Sequence, residues 1–249
     1  MSDLPGRAIR FARREGVAAL ASTAIRLVYD RGVRPRLPRR TVTYNGVAVP
    51  AARALDGVVP WHEPGDRPDH EAALVRGIRG HVREGDRVVV VGGGTGASSV
   101  VAARWAGSTG AVTTFEGAAE QATLAAETVR RNGVADRVRV EHAVVGDARS
   151  LRGPAGDAAV IDPGTLPDCD VLVLDCEGAE IDVLRNLAVS PRAIVVETHG
   201  LYDAPPDLVA DLLAEAGYTV RSREIGGRTE SHCREHGIYV LVAVDEASA

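Results

Sequence analysis

The sequence contains no lysine, few cysteines and few aromatic residues. All 29 basic residues are arginine, aromatic residues make up 4% of the 249 residues, and there are three cysteines. The three cysteines form no CxxC pair, which excludes a disulfide framework and a cysteine-based zinc site. No apolar run approaches the roughly 18–20 residues of a membrane span, and the first residues lack the pattern of a signal peptide. We therefore expect reduced thiols in a cytoplasmic protein.

Positive charge is concentrated at the N-terminus. Residues 1–40 contain ten arginines and three acidic residues, a formal charge of +7, whereas the whole chain carries −5. The overall charge predicts no nucleic-acid partner. Helical spacing of apolar residues predicts a basic helix from Leu4 to Tyr29. This arm is expected to pack on the acidic remainder, to form a homodimer, or to bind weakly to anionic lipid at the inner face of the cell membrane.

The chain is expected to have three parts. Residues 1–40 form the basic helix and a proline-containing linker, and residues 41–68 form a small β-hairpin around Asn45–Gly46 with a following loop. Residues 69–249 form the main domain, which opens with a helix capped by Asp69 and ending at His81. With 45% hydrophobic residues in the chain, this domain has enough apolar side chains for a large core.

From Asp86 onward the pattern alternates between strands and helices. This alternation predicts a parallel sheet with helices on both faces. The last two strands have no predicted helix between them and are expected to be antiparallel. The predicted fold class is therefore α/β, with a doubly wound, mostly parallel seven-stranded sheet and an antiparallel last strand. The strands are predicted at 87–91, 111–115, 137–144, 170–175, 192–198, 218–224 and 238–244, and the helices at 96–106, 118–132, 180–187 and 206–216.

The stretch VVVVGGGTGASS, residues 88–99, indicates a buried strand that turns sharply into a helix. The glycines leave bare backbone for a ligand, and the helix start offers free N–H groups. The same letters fit the dinucleotide fingerprint, through Gly92, Gly94 and Ala97, and the S-adenosylmethionine loop, through Gly92, Gly94 and Gly96. Glu116 follows at the end of the next strand, where a carboxylate accepts bonds from ribose hydroxyls. The loop alone leaves both cofactors open.

Three later stretches resemble a known family. DVLVLDCEGAEIDVL (170–184), AIVVETH (193–199) and HGIYVLVA (236–243) resemble the FkbM-type family of class I S-adenosylmethionine-dependent methyltransferases. The resemblance covers residues 69–244 and implies a Rossmann-like methyltransferase fold with S-adenosylmethionine as cofactor. It further implies O-methyl transfer to a hydroxyl of a sugar, glycan or related small molecule. An NAD-dependent oxidoreductase and a non-catalytic nucleoside-binding protein are the alternatives. Val90 stands where this class usually carries an acidic residue, which supports the second alternative.

The cofactor is expected to lie against the ends of the first three parallel strands. The predicted cofactor-binding residues are Gly92, Gly94 and Gly96 in the loop, Glu116 at the ribose, and Asp147, which follows the third strand where this class often contacts adenine. These positions lie at the carboxyl ends of parallel strands, where open α/β sheets bind their ligands.

The acceptor is expected beside the fourth and fifth strands of this sheet. Asp175 is predicted to orient the acceptor hydroxyl or to accept its proton. Glu197 and His199 point to the same side of an extended strand, so the carboxylate is expected to hold the imidazole as a general base. Glu180 is predicted to stabilise the start of its helix. A metal site built from Asp175, Glu197 and His199 has no ligand signature in its spacing, and no metal is predicted.

Overall fold

The computed structural model of the chain describes residues 17–62, 65–147, 150–227 and 229–246. The chain forms two compact units. The first comprises the described residues up to Thr41 together with Ala51–Gly65, and the second comprises Val42–Pro50 and the chain from Asp66 onward. The ends of the hairpin belong to the first unit and its tip belongs to the second.

The first unit is organised around the buried carboxylate of Asp56. Arg34 binds both carboxylate oxygens at 2.9 Å, and the Tyr29 hydroxyl donates to the same group at 3.1 Å. Burial alone would raise the pKa of Asp56, but the hydrogen bonds from Arg34 and from the Arg53 backbone N–H lower it. A bidentate arginine pair with further donors compensates for burying the charge.

The basic helix predicted at Leu4–Tyr29 is described only in part. Helix α1 covers Val17–Val28, and residues 1–16, with four of the predicted arginines, lie outside the described residues. Ile25, Leu27 and Val28 are 61%, 46% and 66% exposed, so the apolar side chains at the end of α1 remain open to solvent. Among the described residues, no helix has the length and apolar character needed to cross a membrane.

Strands β1 (Arg39–Tyr44) and β2 (Val47–Arg53) pair as a two-stranded sheet. The turn between them is made by Asn45 and Gly46, whose φ angles of 49° and 80° are both positive. Two positive φ angles in a two-residue turn match the right-handed twist of the strands, and Asn-Gly is the preferred pair for that geometry. The hairpin predicted from the sequence is confirmed.

The second unit contains an eight-stranded sheet with the order β6-β5-β4-β3-β7-β8-β10-β9. Its strands are β3 (Arg87–Val91), β4 (Ala111–Glu116), β5 (Val138–Val145), β6 (Ala159–Ile161), β7 (Val171–Leu174), β8 (Ala193–Glu197), β9 (Tyr218–Ile225) and β10 (Tyr239–Asp245). Strand β10 is antiparallel to both β8 and β9, while the remaining pairs of neighbours are parallel. The predicted fold class is confirmed. The eighth strand is β6, a three-residue edge strand that is too short to give a periodic signal.

Helices cover both faces of this sheet. They are α2 (Ala72–His81), α3 (Ala97–Ala106), α4 (Ala119–Arg131), α5 (Glu180–Arg185), α6 (Pro206–Glu215) and α7 (Glu230–His236). The predicted cap at Asp69 is wrong: α2 is preceded by Glu71 in the left-handed region, with no side-chain cap. The prediction of no helix between the last two strands is also wrong, because α7 lies there. Its one buried side chain, Cys233, leaves no apolar stripe in the sequence.

The core lies between the central strands and the helices. Leu172, Leu174 and Ile194 are fully buried on β7 and β8, and each such side chain contributes about 1.5–3 kcal/mol to folding relative to an exposed one. The four valines of β3 are also buried, as expected for a central parallel strand. This rigid centre places the carboxyl ends of β3, β4, β7 and β8 along one edge of the sheet, where polar residues cluster.

Candidate functional site

Two glycines of the loop after β3 differ in their surroundings. Gly92 has a φ of 87°, and a Cβ on it would lie 1.8 Å from the carbonyl oxygen of Asp175. Only glycine fits there, because the loop packs directly on the end of β7. Gly94 also has a positive φ of 50°, but a Cβ on it would have no atom within 4 Å. Gly94 therefore faces open space, whereas Gly92 serves the fold.

Glu116 holds the glycine loop in place. Its carboxylate accepts hydrogen bonds from the Gly94 backbone N–H at 2.6 Å and from the Ala118 N–H at 2.8 Å. Val90 is buried in the sheet and contributes no acidic group to the loop. Glu116 thus supplies the carboxylate that organises this loop, and each of its oxygens retains a further lone pair for a ligand.

A groove opens above the loop, with about 480 Å³ of empty space that includes space open to solvent. The residues that line it include Gly94, Glu116, Val144, Leu151 and Asp175. Two predicted cofactor residues, Gly96 and Asp147, are not among the residues that line the groove. Gly96 precedes α3, and a Cβ on it would lie 2.8 Å from the Cα of Ala125, so it serves helix packing. Asp147 is exposed, and its backbone N–H donates to Asp182 at 2.9 Å.

The segment after β7 folds into a tight turn that explains the acidic motif. Glu177 and Gly178 have φ angles of 48° and 105°, and two successive residues with positive φ reverse the chain. As a result, the carboxylate of Glu180 turns back and accepts bonds from the backbone N–H groups of Cys176 at 3.2 Å and Gly178 at 2.8 Å. Glu180 is fully buried. Glu180 thus lies at the start of its helix, as expected, and its carboxylate is also held in a fixed position inside the site.

The imidazole of His199 is held by Glu180 and not by Glu197. His199 Nδ1 lies 2.8 Å from Glu180 Oε1, and Nε2 lies 3.5 Å from Asp175 Oδ1. Glu197 lies in the same cluster without a hydrogen bond to the ring. The sequence could not reveal the partner of His199, because Glu180 is 19 residues away and reaches the ring only through the turn at Glu177.

Burial and mutual repulsion shift the protonation of this cluster. Burial raises the pKa of Asp175 to about 6, and burial together with the charge of Asp175 raises the pKa of Glu197 to about 8. Burial would lower the pKa of His199, but the bond to Glu180 and the charge of Asp175 outweigh it and raise that pKa to about 9. The acidic neighbours therefore favour the protonated imidazole of His199.

Arg152 borders both the groove and the cluster, and the sequence analysis did not identify it. Its guanidinium Nε donates to Glu177 at 2.6 Å, and the carboxylate of Asp175, opposed by burial, contributes most to raising its pKa. Arg152 lies in a loop rich in glycine and proline, where no pattern distinguishes it from other surface arginines. Its position adds a fixed positive charge beside Asp175 and Glu177.

The sheet topology is that of the class I methyltransferases. No family model matches the sequence, and no curated protein matches it either. Solved structures with a similar fold include the ribosomal protein L11 methylase from Lactobacillus delbrueckii subsp. bulgaricus, with 15% identity, a TM-score of 0.48, and coverage of 74% of this chain and 82% of that one.

Two further solved structures are similar at the same level. One is a geranyl diphosphate methyltransferase in complex with S-adenosylmethionine, with 16% identity, a TM-score of 0.46, and coverage of 70% of this chain and 85% of that one. The other is an S-adenosylmethionine-dependent O-methyltransferase from Thermotoga maritima, with 19% identity, a TM-score of 0.44, and coverage of 72% and 65%. Likeness at this level concerns the fold and identifies neither an acceptor nor a reaction.

Proposed function

We propose that the protein is an S-adenosylmethionine-dependent O-methyltransferase acting on a hydroxyl of a sugar, glycan or related small molecule. The observation that carries the proposal is the position of Asp175. The residue lines the groove above the glycine loop, and its carboxylate lies 3.5 Å from His199 in the buried cluster. A cofactor site and a proton-accepting site therefore meet at one residue, as transfer of a methyl group to a hydroxyl requires.

The groove suits a nucleoside cofactor. In this proposal Glu116 would offer carboxylate lone pairs to ribose hydroxyls, Gly94 would leave its backbone open to the ligand, and the apolar side chains of Val144 and Leu151 would contact the base. The methyl donor is already activated, so the protein has to align the acceptor and take up its proton. Asp175 is proposed to take up the proton, because its pKa of about 6 leaves it mainly ionised near neutral pH. Glu197 and His199, with pKa values of about 8 and about 9, are proposed to complete the catalytic cluster around it. The FkbM-type resemblance suggests the acceptor class.

Calorimetry with S-adenosylhomocysteine and NAD in parallel tests the donor. The expected result is one bound S-adenosylhomocysteine per chain and no binding of NAD. Binding of NAD alone would refute the proposal and favour an oxidoreductase. Tight binding of S-adenosylhomocysteine with no methyl transfer across a broad glycan panel would indicate a non-catalytic binding protein.

The basic arm is proposed to bring the protein to an anionic membrane surface. On α1 the apolar side chains of Ile25, Leu27 and Val28 are exposed beside Arg26, which is itself exposed. Exposed apolar groups next to basic residues are the combination that binds anionic lipid interfaces. With residues 1–40 carrying +7 and each basic residue near the surface contributing about 1 kcal/mol, attachment should be reversible and salt-sensitive.

A further inference from the structure

Three ligand-type side chains converge at the ends of two neighbouring strands. Asp175 follows β7, Glu197 ends β8, and His199 comes two residues later. One carboxylate oxygen or ring nitrogen from each lies within 4.8 Å of the others. The two strands pair directly in parallel register, so the arrangement is held by the sheet and does not depend on a mobile loop.

Two of these side chains present buried oxygens without a partner. Asp175 Oδ1 and Glu197 Oε2 are both buried and accept no hydrogen bond. The side chain of Asp175 is only 9% exposed, and Glu197 is only 8% exposed. Arg152, the nearby cation, donates to Glu177 and leaves these oxygens unsatisfied. A buried oxygen that accepts no hydrogen bond costs about 1–3 kcal/mol, and a cation bound between the two side chains would satisfy both oxygens.

The third side chain has the orientation of a metal ligand. The bond between His199 Nδ1 and Glu180 leaves Nε2 directed at Asp175 Oδ1, 3.5 Å away. Glu180 cannot turn aside, because backbone N–H groups fix both of its oxygens. Metal-binding histidines characteristically donate their other ring N–H to a carboxylate, which sets the tautomer and directs the free lone pair at the ion.

We propose that Asp175, Glu197 and His199 bind a divalent cation of the Mg²⁺ or Mn²⁺ class, with Glu180 as the positioning residue for the imidazole. Octahedral ligands at about 2.1 Å lie about 3.0 Å apart when adjacent and about 4.2 Å apart when opposite. The 3.5 Å between Asp175 Oδ1 and His199 Nε2 falls between these two separations. Two carboxylates with one imidazole match these ions, and Mn²⁺ accepts the nitrogen more readily. This proposal departs from the sequence expectation of no metal.

The catalytic role of the cation rests on the proposed methyltransferase function, whereas its binding to the three side chains does not. Three protein ligands leave positions open for water and for a hydroxyl of the acceptor. A hydroxyl bound to the ion loses its proton more readily, and it would lie beside Asp175 at the end of the groove. In that case His199 acts as a ligand, and the proton passes to water or to a neighbouring carboxylate.

Mn²⁺ binding to the full-length protein, after removal of metals with a chelator, tests the site directly. Loss of the electron paramagnetic resonance signal of free Mn²⁺ is expected to show one bound ion per chain, with nitrogen coupling from an imidazole on that ion. Glu197→Gln should weaken binding at least tenfold. Glu180→Gln should weaken it by about 10- to 100-fold, as loss of a carboxylate behind a histidine ligand does.

Glu141→Gln is the matched control, because Glu141 lies on β5 and pairs with Arg139 away from the cluster. It should bind Mn²⁺ like the wild type. Stoichiometric binding that is unchanged in Glu197→Gln would overturn the proposal, as would the absence of binding or of nitrogen coupling in the wild-type protein. If a variant fails to fold, nitrogen coupling on Mn²⁺ bound to the wild-type protein still tests the site. S-adenosylhomocysteine titration reports separately on the donor site, so the failure of one proposal is distinguishable from the failure of the other.

Discussion

Replacing Glu116 with alanine should show separately how its carboxylate stabilises the glycine loop and how it contributes to ribose binding. Both oxygens accept backbone N–H bonds, from Gly94 and Ala118, and the side chain is 6% exposed. Its removal leaves two donors without a protein partner, which is expected to lower the free energy of unfolding by about 2–4 kcal/mol. A charged hydrogen bond to ribose contributes about 1.5–3 kcal/mol. The affinity for S-adenosylhomocysteine should therefore fall by about 10- to 150-fold.

Calorimetry measures the affinity, and chemical denaturation measures the stability of the same variant. Glu141→Ala is the control, because this residue lies on the neighbouring strand and is not among the residues that line the groove. Its affinity for S-adenosylhomocysteine should equal that of the wild type. If Glu116→Ala loses stability but keeps the wild-type Kd, Glu116 is only a clamp for the loop, and its assignment to ribose is wrong.

Three further predictions concern the loop, the cluster and the arm. Gly94→Val should fold, with a loss of about 1–3 kcal/mol in the free energy of unfolding from its positive φ, and should not bind S-adenosylhomocysteine. Gly92→Ala should fail to fold, because its Cβ meets the carbonyl of Asp175. Melting curves and calorimetry check both variants, and wild-type affinity in Gly94→Val would place the cofactor elsewhere. His199→Ala should retain its S-adenosylhomocysteine affinity but slow methyl transfer by about 10²–10⁴, and an unchanged rate would remove His199 from the chemistry. Full-length protein should pellet with anionic liposomes at low salt and detach as salt rises, and deletion of residues 1–40 should abolish pelleting; equal pelleting without the arm would contradict the membrane proposal.

The alternating part of the chain was predictable because its signals are local. The valine run of β3 and the glycine loop that ends it place a strand and a turn within a dozen residues, and the predicted strand bounds, Arg87–Val91, agree with the structure. Helix α7 was not predictable, since its seven residues bury only Cys233 and the rest are polar. Edge strand β6 is three residues long and mostly exposed, so hydrophobic alternation carries no information there.

The site was predictable as a set of residues but not as a set of contacts. Asp175, Glu197 and His199 follow strand ends, which is why the sequence selects them. The bond from Glu180 to His199 depends on positive φ angles at Glu177 and Gly178, and no sequence pattern predicts such an angle at a glutamate. The same holds for Glu116, whose bond to Gly94 depends on how closely two adjacent turns approach.

The shared position of Asp175 has a thermodynamic consequence. If the cofactor binds in the groove and a cation binds in the cluster, as proposed, Asp175 is placed to couple the affinities of the two ligands. Such coupling is reciprocal by necessity: a cation that tightens the binding of S-adenosylhomocysteine by a given factor is itself held more tightly by that factor in its presence. The binding constant of either ligand should then be measured at a stated concentration of the other.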